Sequence, residues 1–458
     1  MTSEWLFDRL QEFEQTPALI WQGASYTYGH LLEACRHWQQ LLQEKEIRPG
    51  EVVALCGDFS KGTVALFLAL LANQNTIVPQ MAEGLAERQS ALETACVSAI
   101  FEFDQADGWH LSRRTPAGSH PLLQKLSQQG EAGLILFSSG STGDPKAALH
   151  SLPRMLNKFS QKRFSGYRTL TFLRLEHIGG INVFLSALCN GGTLIPIRER
   201  SAEATCRAIA EHQVALLPTT PTFLNMLLIS RAYERYDLSS LKIITHGSEP
   251  MPPATIRALQ TALPHVHLKQ AYGLTELGVL STHSHKNDSQ WLKIGGEQVE
   301  MKVVDDTLWI RTDFAMQGYL NFPSPFDDEG WFNTGDTVVV QDGYMRILGR
   351  ASEIINVGGE KVFPAEVEDV ILQMENIREV AVHGMGNPVM GNLVVARVEL
   401  IQPEDADDLE DRVRAYCRTR LASYKIPAVV QIAAGTVYGG RFKKMRGNSP
   451  LAAHSSQD

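Results

Sequence analysis

The chain has no closely spaced cysteine pair, no compact run of Lys and Arg, and no apolar stretch long enough to cross a bilayer. Its six cysteines, at positions 35, 56, 96, 189, 206 and 417, lack the spacing with which short motifs clamp zinc. They read as reduced core thiols, a usage that points to the cytoplasm. With 42 Lys plus Arg against 51 Asp plus Glu, the formal charge of -9 argues against a nucleic-acid partner, because phosphate backbones are held mainly by clustered cations. The most apolar stretch, Thr63 to Ala72, is about half of what a membrane-spanning helix requires and reads as a buried helix, so no membrane span is expected. Met1 to Ile20 carries Glu4, Asp8, Arg9, Glu12 and Glu14 among its apolar residues. It therefore lacks the order of a signal peptide and reads as an amphipathic helix.

What remains is a soluble globular composition, 44% hydrophobic and 20% charged over 458 residues, enough for two or three structural units. Helical patterns alternate with short β-branched runs at Val52 to Cys56, Thr76 to Val78, Leu134 to Phe137, Thr193 to Ile197 and Leu241 to Thr245. That alternation predicts helices covering a largely parallel sheet, an α/β class. Around Val299 to Ile310 and Thr337 to Ile347, strands separated by Asp-Asp and Asp-Gly turns predict a smaller antiparallel region. A small α+β unit follows, with helices at Pro364 to Met374 and Asp407 to Leu421 and strands at Val380 to His383 and Leu393 to Leu400. The expected division is residues 1–350, then 351–446 with a boundary at Arg350 to Glu353, then a disordered tail at 447–458.

The sharpest local feature is Phe137-Ser-Ser-Gly-Ser-Thr-Gly-Asp-Pro-Lys146 after an apolar strand. Its Gly140 and Gly143, with the hydroxyls of Ser138, Ser139, Ser141 and Thr142, make a donor-rich turn suited to oxyanions, and Lys146 adds a positive charge. A kinase-type loop needs Gly-Lys followed by Ser or Thr, whereas Gly143 is followed by Asp144-Pro145 and Lys146 by Ala147. The segment instead resembles the phosphate loop of the adenylate-forming superfamily, which contains acyl- and aryl-CoA synthetases, luciferases and the adenylation domains of peptide synthetases. Five further segments match that superfamily in its own order along the chain.

The resemblance implies a large N-terminal adenylating domain of layered αβ sheets with a small β region, followed by a small mobile α+β C-terminal domain. It implies roles for Ala271-Tyr-Gly-Leu-Thr-Glu276: Tyr272 stacking on adenine, Thr275 on phosphate and Glu276 holding Mg²⁺, beside Ala271 and Gly273. An aromatic face, a hydroxyl and a hard carboxylate are what ATP with Mg²⁺ requires. In Asn333-Thr-Gly-Asp336, Asp336 would accept both ribose hydroxyls, and Arg350 would also reach the ribose. Gly247, Ser248 and Glu249, before Pro250, match the segment along the adenine, although the family favours small residues where Glu249 stands. Gly358 and Gly359 would line the passage for a thiol arm, and Ser352 falls at the hinge, where the family usually shows Asp or Lys.

In the basic stretch Gly440-Arg-Phe-Lys-Lys-Met-Arg446, a lysine would enter the site to steady charge on the α-phosphate. Spacing to Arg446 favours Lys443, and the apolar residue after the lysine favours Lys444.

For the acid, the resemblance places His177 and Gly180 before the pocket and Thr220, Phe223, Gly247, Tyr272 and Gly278 around it. Amino-acid-activating relatives usually carry an Asp at the His177 position to pair with an ammonium group. An acid without an α-amino group is therefore favoured, unless a register shift brings Glu176 there. Catalysis would fall to Lys443, Glu276, His177 and Thr142. The expected reaction uses ATP and Mg²⁺ to turn a small carboxylic acid into an acyl-adenylate and passes the acyl group to a thiol. CoA is the first expectation for that thiol, the phosphopantetheine arm of a carrier protein the alternative, and a nucleotide-binding homologue without chemistry the third reading.

Overall fold

The computed structural model describes residues 3–80, 85–116, 118–138, 145–161, 164–284, 290–296, 298–439 and 444–446. Two seven-stranded sheets, rather than one, form the α/β part. The first runs His267–Gln270, Ile243–His246, Leu216–Thr219, Arg168–Leu170, Thr193–Ile195, Pro17–Trp21, Ala24–Thr27, parallel except at its last pair. The second runs Gly318–Tyr319, Lys146–Ser151, Gly133–Ser138, Thr76–Gln80, Val52–Cys56, Ala99–Phe103, Trp109–Arg113, parallel at its centre and antiparallel at both edges. Every residue of Val52–Cys56 is buried, which is why a central parallel strand reads as a continuous apolar run.

Helices Tyr28–Glu44 and Lys61–Ala72 pack on each other in a core that takes Leu19 and Leu194 from the first sheet and Val53, Leu55, Ile77 and Leu134 from the second. Thr63 through Leu71 are all buried, as expected of a helix covered on every side. Each fully buried Leu or Phe there contributes about 1.5–3 kcal/mol relative to exposure. The helix starts at a reciprocal cap: the Thr63 amide donates to Ser60 Oγ at 3.1 Å and the Ser60 amide to Thr63 Oγ1 at 2.8 Å. All six cysteines are free, and all but Cys96 are buried.

The antiparallel region is as large as the other two, a third seven-stranded sheet. Its hairpins Val299–Val304/Thr307–Thr312 and Phe332–Gln341/Tyr344–Arg350 turn on Asp305-Asp306 (φ 49° and 59°) and Asp342-Gly343 (φ 51° and 75°). Positive φ at both central residues matches the twist of the flanking strands. From Ile355 onward a five-stranded sheet and helices Pro364–Ile371 and Ala406–Arg418 enclose a separate core that includes Ile355, Val367, Ile371, Val382, Val398 and Leu409.

The N-terminal expectation needs correction. The helix covers Glu4–Glu12 only, and Pro17–Trp21 is a strand. Pro17 cannot donate to a continuing helix, and the Leu-Ile-Trp run after it packs into the first sheet. Residues 447–458 lie outside the described residues.

Candidate active site

The nucleotide-type motifs converge from the second and third sheets. Antiparallel pairing sets Ser138 opposite Lys146, which fixes both ends of the intervening loop. Within it, Ser139, Gly140, Ser141, Thr142 and Gly143 lie outside the described residues. The exit of the loop is clamped by Asn321, whose amide nitrogen donates to the Pro145 carbonyl at 2.9 Å and whose oxygen accepts from the Ala147 amide at 3.0 Å. Lys146 opens its strand with its ammonium 5.5 Å from the Tyr319 ring centre and 5.2 Å from that of Phe322.

Tyr319 also donates its hydroxyl to Glu276 Oε1 at 2.5 Å. Burial, and then the Glu276 charge, push that phenol well above its ordinary range, so it remains a donor. The Met316 amide donates to the Glu276 carbonyl at 2.8 Å, so backbone and side chain of Glu276 are both tied to the segment that carries Tyr319. Thr275 and Glu276 are each half-buried.

Asp336 is buried and forms the centre of a second cluster: Oδ2 accepts from the Tyr272 hydroxyl at 2.6 Å, and Oδ1 lies 2.9 Å from Arg350 Nε. Arg350 stands directly across the hairpin from Asp336. The Asp336 amide donates to Thr334 Oγ1 at 3.1 Å, and Thr334 donates to the Leu308 carbonyl at 2.7 Å. Burial and Asp336 hold the Tyr272 phenol well above its usual range, so the carboxylate faces two committed donors.

Close backbone approach explains the glycines here. A Cβ at Gly273 would lie 2.6 Å from the Gly278 carbonyl oxygen, and one at Gly247 would lie 2.7 Å from that of Ala271. Ala271 continues the register by donating its amide to the His246 carbonyl at 2.7 Å, and Ser248 holds a φ of 68°. Gly278 is buried, with a φ of 73°.

The acid-side candidates are more dispersed. His177 precedes helix Ile178–Cys189 and is half-buried, with Nε2 3.4 Å from Glu176 Oε1. Glu176 lies 3.8 Å from Arg174 NH1 as well, so it stands between two basic groups. Gly180 has a packing role: a Cβ there would sit 1.9 Å from the Arg174 carbonyl oxygen. Two expectations fail to reach an open surface. Thr220 is a buried cap, its Oγ1 accepting the Phe223 amide at 3.2 Å, and Phe223 is fully buried with its ring 4.3 Å from that of Phe172. The Thr-Pro start of helix Pro221–Ser230 draws both into the core.

In the C-terminal unit, Gly358 and Gly359 make the exposed turn between Ile355–Val357 and Glu360–Val362 with φ of 59° and 91°, so the turn itself demands glycine. Ser352 lies in the short 3₁₀ turn Ala351–Glu353. Lys443 is outside the described residues. Lys444 is buried, with its ammonium 2.9 Å from Glu379 Oε1 and 3.4 Å from Glu368 Oε2. Arg446 grips Glu368 through Nε and NH2 at 2.9 and 2.8 Å and reaches Glu353 at 2.7 Å. Burial alone would raise the Glu368 carboxyl, but Arg446 and Lys444 hold it well below the usual carboxylate range. The Lys444 amide donates to Glu249 Oε1 at 2.6 Å, and Glu249 Oε2 accepts from Thr222 at 2.7 Å. A cleft of about 540 Å³ opens here between the two units, lined by Thr222, Glu249, Met251, Phe363 and Lys444 among others.

Tyr319, Asn321 and Thr334 escaped the sequence reading. Thr334 lay inside a quoted motif without a role, whereas Tyr319 and Asn321 had no signal, since their partners at 276 and 145–147 are distant in sequence.

Residues 6–320 match the AMP-binding enzyme family, and residues 366–437 match the AMP-binding enzyme C-terminal domain. A 4-coumarate–CoA ligase-like protein of Oryza sativa subsp. japonica is 26% identical over 94% of this chain and 88% of its own length. An indoleacetate–CoA ligase of Aromatoleum aromaticum is 32% identical over 65% of this chain and 62% of its own. The anthranilate CoA ligase AuaEII, solved with anthranoyl-AMP, shares the fold at a TM-score of 0.82 and 20% identity, with 96% of this chain and 95% of that one covered. The chain belongs to the AMP-binding enzyme family, the adenylate-forming superfamily of ATP-using enzymes with a large N-terminal and a small C-terminal domain, and is an AMP-forming acid–thiol ligase.

Proposed function

We propose that the chain condenses a small carboxylic acid lacking an α-amino group with ATP and transfers the resulting acyl group from the adenylate to CoA. The observation that carries this reading is the coupling of Asp336, Tyr272 and Arg350 on one side to the Glu276, Tyr319 and Lys146 group on the other, through the short stretch from 272 to 276. The first cluster suits a ribose diol, because an ionised carboxylate flanked by a guanidinium is a charge-assisted acceptor for hydroxyls. The second suits a polyphosphate. Lys146 and the Ser139–Gly143 backbone supply positive potential, Thr142 and Thr275 supply hydroxyls, and Gly247, Ser248, Glu249 and Ala271 pass along the base.

Glu276 fits the role of a magnesium ligand. It is an accessible hard oxygen donor held in place by Tyr319, and among the described residues no cluster of three or more His, Cys, Asp or Glu offers an all-protein cage. Mg²⁺ in such sites takes one or two carboxylates plus phosphate oxygens, and would supply charge neutralisation as pyrophosphate departs. The acid's carboxylate then attacks the α-phosphorus in line. His177, at the start of its helix, borders the acid, and Lys443 steadies the charge that builds on the α-phosphate.

For the second step, residues 351–446 turn about Ser352 so that Gly358-Gly359 admit the thiol arm, and the thiol displaces AMP. The ion pairs of Lys444 with Glu368 and Glu379 support a holding role for Lys444 in the C-terminal segment and favour Lys443 for the reaction. The test is product analysis with ATP, a panel of acids and either CoA or a phosphopantetheinylated carrier protein. Stoichiometric AMP and acyl-CoA are expected. Thioester found on the carrier alone would transfer the second step to that acceptor, and ADP as the nucleotide product would overturn the reading.

A further inference from the structure

Among the described residues, the acid side holds a cation without a carboxylate partner that the scheme above leaves unused. Lys158, half-buried, donates its ammonium to Asn182 Oδ1 at 2.7 Å and to the Val279 carbonyl at 3.1 Å. It also stands 4.8 Å from the Phe159 ring centre and 5.5 Å from that of Phe314. Among the described residues no carboxylate lies within ion-pair distance of it. Its anchors belong to the two elements that carry the acid-pocket glycines. Asn182 lies on helix Ile178–Cys189 with Gly180, and Val279 follows Gly278 in strand Gly278–Ser284. These elements pack together, and a Cβ at Gly278 would lie 3.5 Å from the same Phe314 ring. Lys158 thus stands beside the expected acid pocket, with two of its three N–H donors committed to neutral acceptors.

We propose that Lys158 is the specificity-determining residue of the acid pocket and receives a second, anionic oxygen group of the substrate, such as a second carboxylate, remote from the carboxylate that is adenylated. This deepens the proposed function and rests on it. A cation kept without a counter-ion costs free energy in the empty protein, and an anionic ligand restores the missing partner. Burial pushes the Lys158 amine down to about 7, and the nearby Cys189 thiol offsets only part of that. The neighbouring His150 adds no second positive charge, since burial lowers its imidazole to about 4 and keeps it neutral. Phe159 and Phe314 would line the remainder of the pocket against the carbon skeleton.

The test uses the full chain and matched pairs of acids differing only in a second carboxylate: hexanoate with adipate, and 3-phenylpropanoate with 3-(2-carboxyphenyl)propanoate. Acid-dependent exchange of pyrophosphate into ATP should favour the diacid of at least one pair by roughly 10- to 100-fold in kcat/KM, the scale of one hydrogen bond to a charged group, with the difference in KM. Lys158→Met, which keeps the length of the stem, should collapse that ratio to near one, and Lys158→Arg should retain part of it. A wild-type enzyme that favours the monoacid in both pairs overturns the proposal whatever the variants do, as does a diacid preference that survives Lys158→Met. Activation without a Lys158-dependent preference contradicts this inference alone, whereas failure to activate any acid contradicts the adenylation reading beneath it.

Discussion

The proposed nucleotide side and the proposed acid side of the site are built on different terms. On the proposed nucleotide side, Tyr272 and Arg350 sit at strand ends, Glu276 lies between two strands and Asp336 within one, and they already hold one another or a neighbour: Tyr272 and Arg350 on Asp336, Tyr319 on Glu276. On the proposed acid side, Gly180, Thr220 and Phe223 are occupied with packing and capping, and the chemistry is proposed for His177 and Lys158. A ligand shared by many enzymes can be met by short stretches of fixed sequence with their partners in place. A ligand that differs among them is met by core positions whose packing duties come first.

That contrast predicts chemical losses on one side and structural losses on the other. The largest effect is expected at Glu276→Gln, which keeps shape and the Tyr319 contact but offers a poor ligand to Mg²⁺. Pyrophosphate exchange should fall about 10²- to 10³-fold, the scale of losing one preorganised electrostatic group, with the melting temperature unchanged. Exchange near the wild-type rate would remove the metal role. Asp336→Asn comes next, with KM for ATP rising roughly 10- to 100-fold as the charge-assisted bonds to the ribose are lost. An equal rise in KM for the acid would show that the two sides are not separate.

On the acid side, Gly180→Ala should act through the fold. Its added carbon meets a backbone oxygen that cannot move without shifting the helix start. A loss of about 1–3 kcal/mol in denaturant unfolding is expected, the usual cost of overpacking. A variant of unchanged stability with lost acid binding would make Gly180 a pocket residue after all. The smallest effect belongs to Tyr319→Phe, which removes the donor to Glu276 and should cost about 0.5–1.5 kcal/mol in exchange at limiting Mg²⁺. Added Mg²⁺ should recover most of it, and a defect indifferent to Mg²⁺ would separate Tyr319 from the metal.

The contrast also governs how much was legible in the sequence. Val52–Cys56, the buried helix Lys61–Ala72 and the Asp-Asp and Asp-Gly hairpins follow from local pattern and turn chemistry. The split into two sheets does not, because strand order depends on contacts far apart in the chain, such as Leu19 beside Leu194. Asp336 and Arg350 could be named from motifs, but Tyr272 as the donor to Asp336 could not, since 64 positions separate them. Phe223 reads as pocket lining in one dimension and is core in three. Lys158 left no trace in the sequence, because a single lysine after an amphipathic segment is ordinary until its neighbours are known.

The central claim is that this chain activates an acid at the phosphorus of ATP, and isotope exchange tests it most directly. With ATP, Mg²⁺ and labelled pyrophosphate but no CoA, label should enter ATP only when a suitable acid is added, and Glu276→Gln should abolish most of that entry. Label entering ATP at the same rate without any acid, or no entry with every acid of the aryl, short-chain and long-chain classes, would contradict the account.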